Sequence, residues 1–528
     1  MILLFLYAGL TNLSAQDLGD RRIVLEEVTI PGMPGVQSFA CGQDGNEWLL
    51  LGGRTDGLHQ RQPFAAFLAS ANNTMAHVVD PITNEVWSAS ISGLSTALYE
   101  QLQSTNMEFF QRGNTLYIIG GYGFSPTAND HVTHSRLTAV DVPGAITAIK
   151  NSTTLTPHFR QITDSRMAVT GGYLGHLNDT FYLIGGQRFI GRYNPMGPDF
   201  GPGFIQEYTN AIRKFRISDD GTSLAITDFE ETIDTDNLHR RDYNLVPQVF
   251  PNGEFGFTAF SGVFQYMSNI PWLNTVDVTA SGYTVVPEFE QLLNQYHTAH
   301  LPAFASTSNT MSTVFFGGIG RYYFDGNGQL WDDVNVPFVN TISRVQRSGD
   351  GSMLETAIGT MPALLGSSAE FITAPGVPTV FNDVIDLDAL DGDTVLAGHI
   401  VGGIESSAAN IFFINTGTQS DASTRVFKVL LIREINTGIS EAPDVANSLQ
   451  VVLSDSGEQL IISLALAHGT EGTLNLLDSS GRLVRTLVKA RMPAGDQKLH
   501  NDVRDLPKGS YLVEWVTPEG RSVARFVR

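Results

Sequence analysis

A single cysteine in 528 residues, Cys41, leaves no internal disulfide and no Cys-rich zinc site or iron–sulfur cluster. Stability must come from packing. Charged residues are also scarce, at 16%, and basic side chains are outnumbered 32 to 54, for a net charge of −22. That excess repels a phosphate backbone, so nucleic acid is not an expected partner. Past the N-terminus no run of about 18 apolar residues occurs, and no membrane-spanning helix is expected. G-x-S-x-G, H-E-x-x-H and phosphate-loop motifs are missing, and no cofactor or metal is expected. What is present is a 42% hydrophobic fraction punctuated by 52 Gly and 23 Pro, the composition of a turn-rich chain with a core. Its length exceeds one compact core, so several domains or a repeat architecture follow.

The two ends read differently from the middle. Residues 2–10, ILLFLYAGL, followed by small residues at Ser14 and Ala15, form an expected secretory signal over residues 1–15. From Val445 to Arg528, three Lys and seven Arg face nine acidic residues, a net of +1 that leaves −23 on the rest. A linker is expected at 437–447, where TGISEAPDVAN lacks apolar periodicity. Residues 448–528 then carry seven short alternating runs, from LQVVL to SVARFVR, separated by turns such as SDSG, DSSG and LPKG. Seven strands in about 80 residues predict a small antiparallel, Ig-like β-sandwich. The Gly481–Arg482 turn, Leu506, Pro507, Gly509 and Tyr511 of a Leu-Pro-x-Gly-x-Tyr segment, and the basic final strand together resemble the C-terminal sorting domain of type IX (Por) secretion cargo in Bacteroidota. The resemblance implies the type IX machinery as a partner, and a secreted or surface-attached protein.

Across residues 22–436 an apolar strand ending in a small pair recurs. The copies are EWLLLGGR, TLYIIGGY, FYLIGGQ, GFTAFSGV, TVFFGGI and HIVGGI, with second glycines at 53, 121, 186, 262, 318 and 403. Turn sequences such as QDGNE, RGNT and PNGE precede the copies, as tight hairpins require. Two further strands follow each pair, so six four-stranded antiparallel units are expected, with Ile23–Ile30 adding the outermost strand to the last. The recurring diglycine resembles the kelch family. That resemblance implies an all-β, six-bladed kelch-type β-propeller, followed by the sandwich.

In such an arrangement function falls just after each pair or just before each inner strand. The ligand-binding candidates are Arg54, Tyr122, Gln187, Arg240, Arg241, Tyr243, His297 and His300. Their guanidinium groups suit carboxylates or acidic sugars held in bidentate fashion. Arg166, Asn106, Glu108, Glu405, Asn382 and Asp383 are expected at the same mouth, and aromatic insertions follow the third and fifth pairs. His297 and His300, three apart on one strand, are expected to face opposite sides, which argues against a metal pair. DLDALDGD, with four aspartates, reads as a hairpin turn rather than a calcium loop. The expected function is a secreted binding protein for a glycan or protein. The alternative is a carbohydrate-active enzyme, an epimerase or mutarotase, pairing Arg241 with Glu108, Glu405 or His300.

Overall fold

A computed structural model describes residues 18–325, 328–433, 448–454, 458–466, 469–478, 482–517 and 520–528. The expected signal segment 1–15, the expected linker 437–447 and Gly481 lie outside the described residues. The chain divides into two compact units at 434/435, and the fold is all-β apart from short helices such as Thr96–Leu102 and Val142–Lys150.

The first unit contains six four-stranded antiparallel meanders. The first four are Ala40–Asp44, Glu47–Leu51, Met75–Asp80, Glu85–Ser90; Thr105–Arg112, Thr115–Ser125, Ser135–Asp141, Phe159–Ala168; Thr170–Leu177, Thr180–Ile190, Ala211–Asp219, Leu224–Ile233; and Asn244–Val249, Phe255–Phe260, Thr275–Thr279, Gly282–Val286. The fifth runs His300–Ala305, Thr310–Ile319, Phe338–Arg347, Met353–Thr360. The sixth has Leu364–Thr373, Thr394–Ser406 and Val426–Arg433, and its fourth strand is Arg21–Val28, from the other end of the unit. Ile23 pairs with Leu431 and Val28 with Val426, so an edge of the last meander is covered by the first strand.

The continuous apolar runs of the second strands follow from burial on both faces. In the first meander, Leu49 and Leu51 pack with Leu116, Ile118 and Val140 of the second, while Trp48 and Leu50 pack with Ile372, Val401 and Val426 of the sixth. Alternation continues: Tyr117 and Ile119 meet Phe181 and Leu183, and Tyr182 and Ile184 meet Phe257 and Ala259. Phe260 meets Phe315, and Val314 and Phe316 meet Ala369, Ile400 and Phe427. Each neighbouring pair of meanders thus shares one core. The Val142–Lys150 helix, with Pro143 in its first turn, adds Ala145, Ile146 and Ile149 to the first of these.

Within or just after each second strand the small pair lies in the left-handed region, with φ between 57° and 106° at all twelve residues. A Cβ on Gly120 would stand 1.8 Å from the Val169 carbonyl oxygen, and one on Gly317 2.0 Å from that of Leu365. The N–H groups of Gly53, Gly121, Gly186 and Gly403 donate to the carbonyls of Ser104, Val169, Arg240 and Val36, on the chain entering the adjoining meander. Ser261 stands where the other pairs have their first glycine because its hydroxyl donates to the Asn294 carbonyl at 2.7 Å.

The second unit has the seven expected strands, Ser448–Leu453, Gln459–Leu466, Thr470–Asp478, Leu483–Met492, Gly495–Asp502, Ser510–Thr517 and Gly520–Val527, in antiparallel sheets of three and four. Leu460, Ile462, Leu464, Leu474, Leu476, Val513 and Trp515 form their common core.

Gly120→Ala is expected to destabilise the first unit by about 3 kcal/mol or more, combining a left-handed alanine with a backbone collision. Gly113→Ala, also at positive φ but with no atom within 4 Å, should cost only about 1–2 kcal/mol. Urea unfolding of both variants measures the difference; equal losses would show that the close approach is not limiting.

Candidate functional site

Six further left-handed residues lie just before or within the first strand of each meander, the innermost strand: Ser38, Asn106, Gly171, Asp242, His297 and Ser368, with φ between 46° and 68°. They are linked across meanders. Asn106 donates its N–H to Ser38, Asp242 to Gly171, Ser368 to His297, and Ser38 to Ser368. The Asn106 amide also donates to Asp242 Oδ1 at 3.3 Å. Two cavities adjoin this girdle, and Ser38, Asn106, Asp242 and His297 line both. One, of about 520 Å³, is walled by segments following the second strands and is termed the rim cavity. The other, of about 470 Å³, runs along the innermost strands and is termed the inner cavity.

All six meanders or their loops bring aromatic groups to the rim cavity, among them Phe67, Tyr122, Phe189, Tyr193, Phe264, Tyr296, Phe338 and Phe412. Several lock edge to face: Phe67 on Tyr122 at 5.3 Å between ring centroids, Tyr122 on Phe189 at 5.3 Å, His59 on Tyr193 at 4.9 Å and on Phe412 at 5.7 Å. Burial lowers the His59 imidazole to about 4, so it stands neutral near pH 7. The Tyr122 hydroxyl donates to the Gly191 carbonyl at 2.8 Å and accepts from the Tyr193 N–H, fixing the insertion that follows the third pair. That insertion packs on itself through Phe189 and Phe204, 4.7 Å apart, and also walls the cavity.

Of the expected binding residues, Arg54, Tyr122, Gln187, Arg241 and His297 line the rim cavity. Both guanidiniums are already engaged. Arg54, 3% exposed, makes a bidentate pair with Asp56 at 2.6–2.7 Å and reaches the Asn72 side chain and the Leu68 carbonyl. Arg241 pairs with Asp242 and donates to the Tyr208 hydroxyl at 3.1 Å. Burial opposes its charge, but Tyr208 and Asp242 outweigh that and hold its pKa above the usual arginine range. Gln187 accepts from Gln206 at 2.5 Å.

The remaining candidates lie elsewhere. Arg240, 2% exposed, serves the Asn237, Ser261 and Asn274 carbonyls and stacks on Trp272. Tyr243 is in the core and donates to the Ile184 carbonyl. Arg166 pairs with Asp164 over the Phe229 ring. His300 lines only the inner cavity, and His297 lines it as well. Their expected opposition fails because His297 precedes the strand in a left-handed turn. Glu108, Asn382 and Asp383 also belong to the inner cavity rather than the mouth. For Asn382 and Asp383 the reason is topological: the sixth innermost strand is Leu364–Thr373, and these residues sit in its excursion toward the second strand, beside the short strands Thr379–Phe381 and Val384–Asp386. Arg241 thus shares a cavity with neither Glu108 nor His300, and Glu405 pairs instead with Arg425 at 3.2 Å. In the aspartate-rich segment, Asp386 caps the turn Leu387–Ala389 and Asp388 accepts from Ser306 and Thr307. In the second unit, Tyr511 donates to the Pro507 carbonyl at 2.9 Å, Gly509 and Arg528 exchange backbone hydrogen bonds, Leu506 is buried, and Arg482 is exposed beside Asp478.

His59, Phe67, Phe264, Tyr296 and Phe412 were not singled out from sequence. The signal available was position, since most lie in the segment between a small pair and the third strand, as IFF at 411–413 does. No known family model matches the chain, and no curated protein matches it. Among solved structures, the chain has a likeness to one titled "Structure of YjhT", at 12% identity and a TM-score of 0.40, covering 76% of this chain and 99% of that one. The likeness is too remote to assign an activity.

Glu108, 2% exposed, accepts the Gly172 N–H at 2.8 Å, and burial raises its pKa to about 8 from an ordinary 4.5. Between those values the native carboxyl keeps a proton that the unfolded chain has released. Its contribution to stability is therefore full below about pH 4.5 and is lost as pH rises through about 8. Glu108→Gln is expected to match the parent's urea midpoint at about pH 5 and exceed it at about pH 9. Parallel pH curves for the two proteins would exclude this titration.

Proposed function

We propose that residues 22–436 are a six-bladed kelch-like β-propeller that binds an uncharged, ring-bearing ligand, a neutral glycan in the first instance, in the rim cavity. Residues 448–528 act as a type IX C-terminal sorting domain that carries it out of the cell. Six similar meanders, the small pairs within or just after their second strands and the pairing of Arg21–Val28 with Val426–Arg433 support the propeller reading.

One observation carries the choice of ligand. Phe and Tyr side chains from all six meanders or their loops line the rim cavity, while Arg54 and Arg241 already hold Asp56 and Asp242. An acidic sugar would have to compete with those carboxylates. A neutral sugar needs only ring faces for stacking and side-chain amides such as Gln187, Asn106 and Asn410 for its hydroxyls.

Binding of neutral and acidic oligosaccharides, screened on a glycan array and followed by calorimetry, tests the reading. Phe412→Ala is expected to weaken the neutral ligand about tenfold, the loss of one stacked ring. Arg54→Ala should instead lower stability by about 1–3 kcal/mol through its lost ties. Preferential binding of acidic sugars, abolished by Arg241→Ala, would reverse the assignment.

Export is tested separately. In a bacterium with a working type IX system, the full chain is expected outside the cell, while a chain ended at Glu434 remains in the periplasm. Equal release of both would remove the sorting role.

A further inference from the structure

The inner cavity has a chemistry opposite to that of an anion site. Glu108, Glu370 and Asp383 line it, and none of its described lining residues is Lys or Arg. Its imidazoles do not supply the missing charge, since burial lowers His300 to about 4 and lowers His297 as well. Two of these carboxylates keep oxygens that the fold does not engage. Glu108 is 2% exposed, and its Oε2 is buried with no hydrogen-bond partner. Glu370, only half-buried on the innermost strand Leu364–Thr373, makes no hydrogen bond or ion pair among the described residues. Burial pushes both carboxyls up to about 8, the condition of acids enclosed without a counter-charge.

Phe109, Tyr173 and Phe371, each half-buried, line the same cavity. Aromatic faces attract a cation through their quadrupoles but give no oxygen ligands, so the walls favour an organic cation over a bare metal ion. Among the described residues no group of three or more His, Cys, Asp and Glu is arranged to hold a metal. At about 470 Å³ the space is of small-molecule size.

We infer that the inner cavity is a second binding site, separate from the rim cavity, and that it takes a small organic ammonium ion, with the charge among Glu108, Glu370 and Asp383 and the alkyl groups against Phe109, Tyr173 and Phe371. The Asn106 and Asp242 girdle lies between the two sites and belongs to both linings. The inference stands whether or not the rim cavity takes a glycan.

Choline serves as the probe, and 3,3-dimethylbutan-1-ol as its uncharged carbon isostere, titrated calorimetrically into the full chain at about pH 8.5, where the acids ionise. Choline is expected to bind at least tenfold more tightly than the isostere. Glu370→Gln and, separately, the solvent-facing Asp383→Asn should each weaken choline about tenfold, with thermal melts confirming that both variants fold. Phe412→Ala, in the rim cavity, should leave choline affinity unchanged. Equal binding of choline and its isostere, absence of choline binding, or undiminished affinity in both folded carboxylate variants overturns the inference. Loss of choline binding in Phe412→Ala alone would move the site to the rim cavity and overturn it equally.

Discussion

The first unit depends on how closely one meander's second strand can approach the chain entering its neighbour. Where Gly120, Gly185, Gly317 and Gly402 lie, carbonyl oxygens occupy the space a Cβ would need, at 1.8 to 2.7 Å. The pair meets two demands at once, since its positive φ turns the strand and its empty side admits the next backbone. Ser261 shows which part can be exchanged, because its side chain replaces the missing contact with a hydrogen bond to Asn294. Without this approach the shared cores, each filled by alternate residues of adjoining second strands, could not close up to interior density.

That approach also determines where the innermost strands begin. Six left-handed residues, only one of them glycine, hold the chain where it turns into each meander, and their mutual hydrogen bonds form the girdle next to both cavities. Holding Ser, Asn, Asp and His in this region costs about 1–3 kcal/mol each, which the surrounding bonds offset. The consequence is chemical separation. Arg54 and Arg241 lie in the rim cavity alone, while Glu108, Glu370, Asp383 and His300 lie in the inner cavity alone. Chain neighbours are divided accordingly: Arg241 lines the first alone, whereas Asp242 lines both.

The arginines illustrate how residue type underdetermines role. Arg54, Arg166, Arg240 and Arg241 look alike as cations near strand ends. Arg240 instead bonds four groups of its own and neighbouring segments, and Arg166 closes on Asp164 two residues away. A guanidinium with five donors is well suited to tie loops together, and a chain short of charge employs it there.

What the sequence determined by itself is whatever depends on local backbone chemistry. Apolar runs ending in a small pair marked all six second strands, and turn residues delimited the seven strands of the second unit, because positive φ and two-faced burial leave a direct compositional trace. The pairing of the strand near Ile23 with that near Ile432 was also legible, since an outer strand was lacking at one end and spare at the other. Tertiary structure alone decided the sites. It sent Asn382 and Asp383 to the inner cavity through an excursion whose length the repeat did not reveal, turned His297 to the side of His300, and drew Phe67, Tyr296 and Phe412 together from positions more than 100 residues apart. Side chains that meet only through packing of distant segments leave no periodic mark, so their convergence belongs to the folded chain.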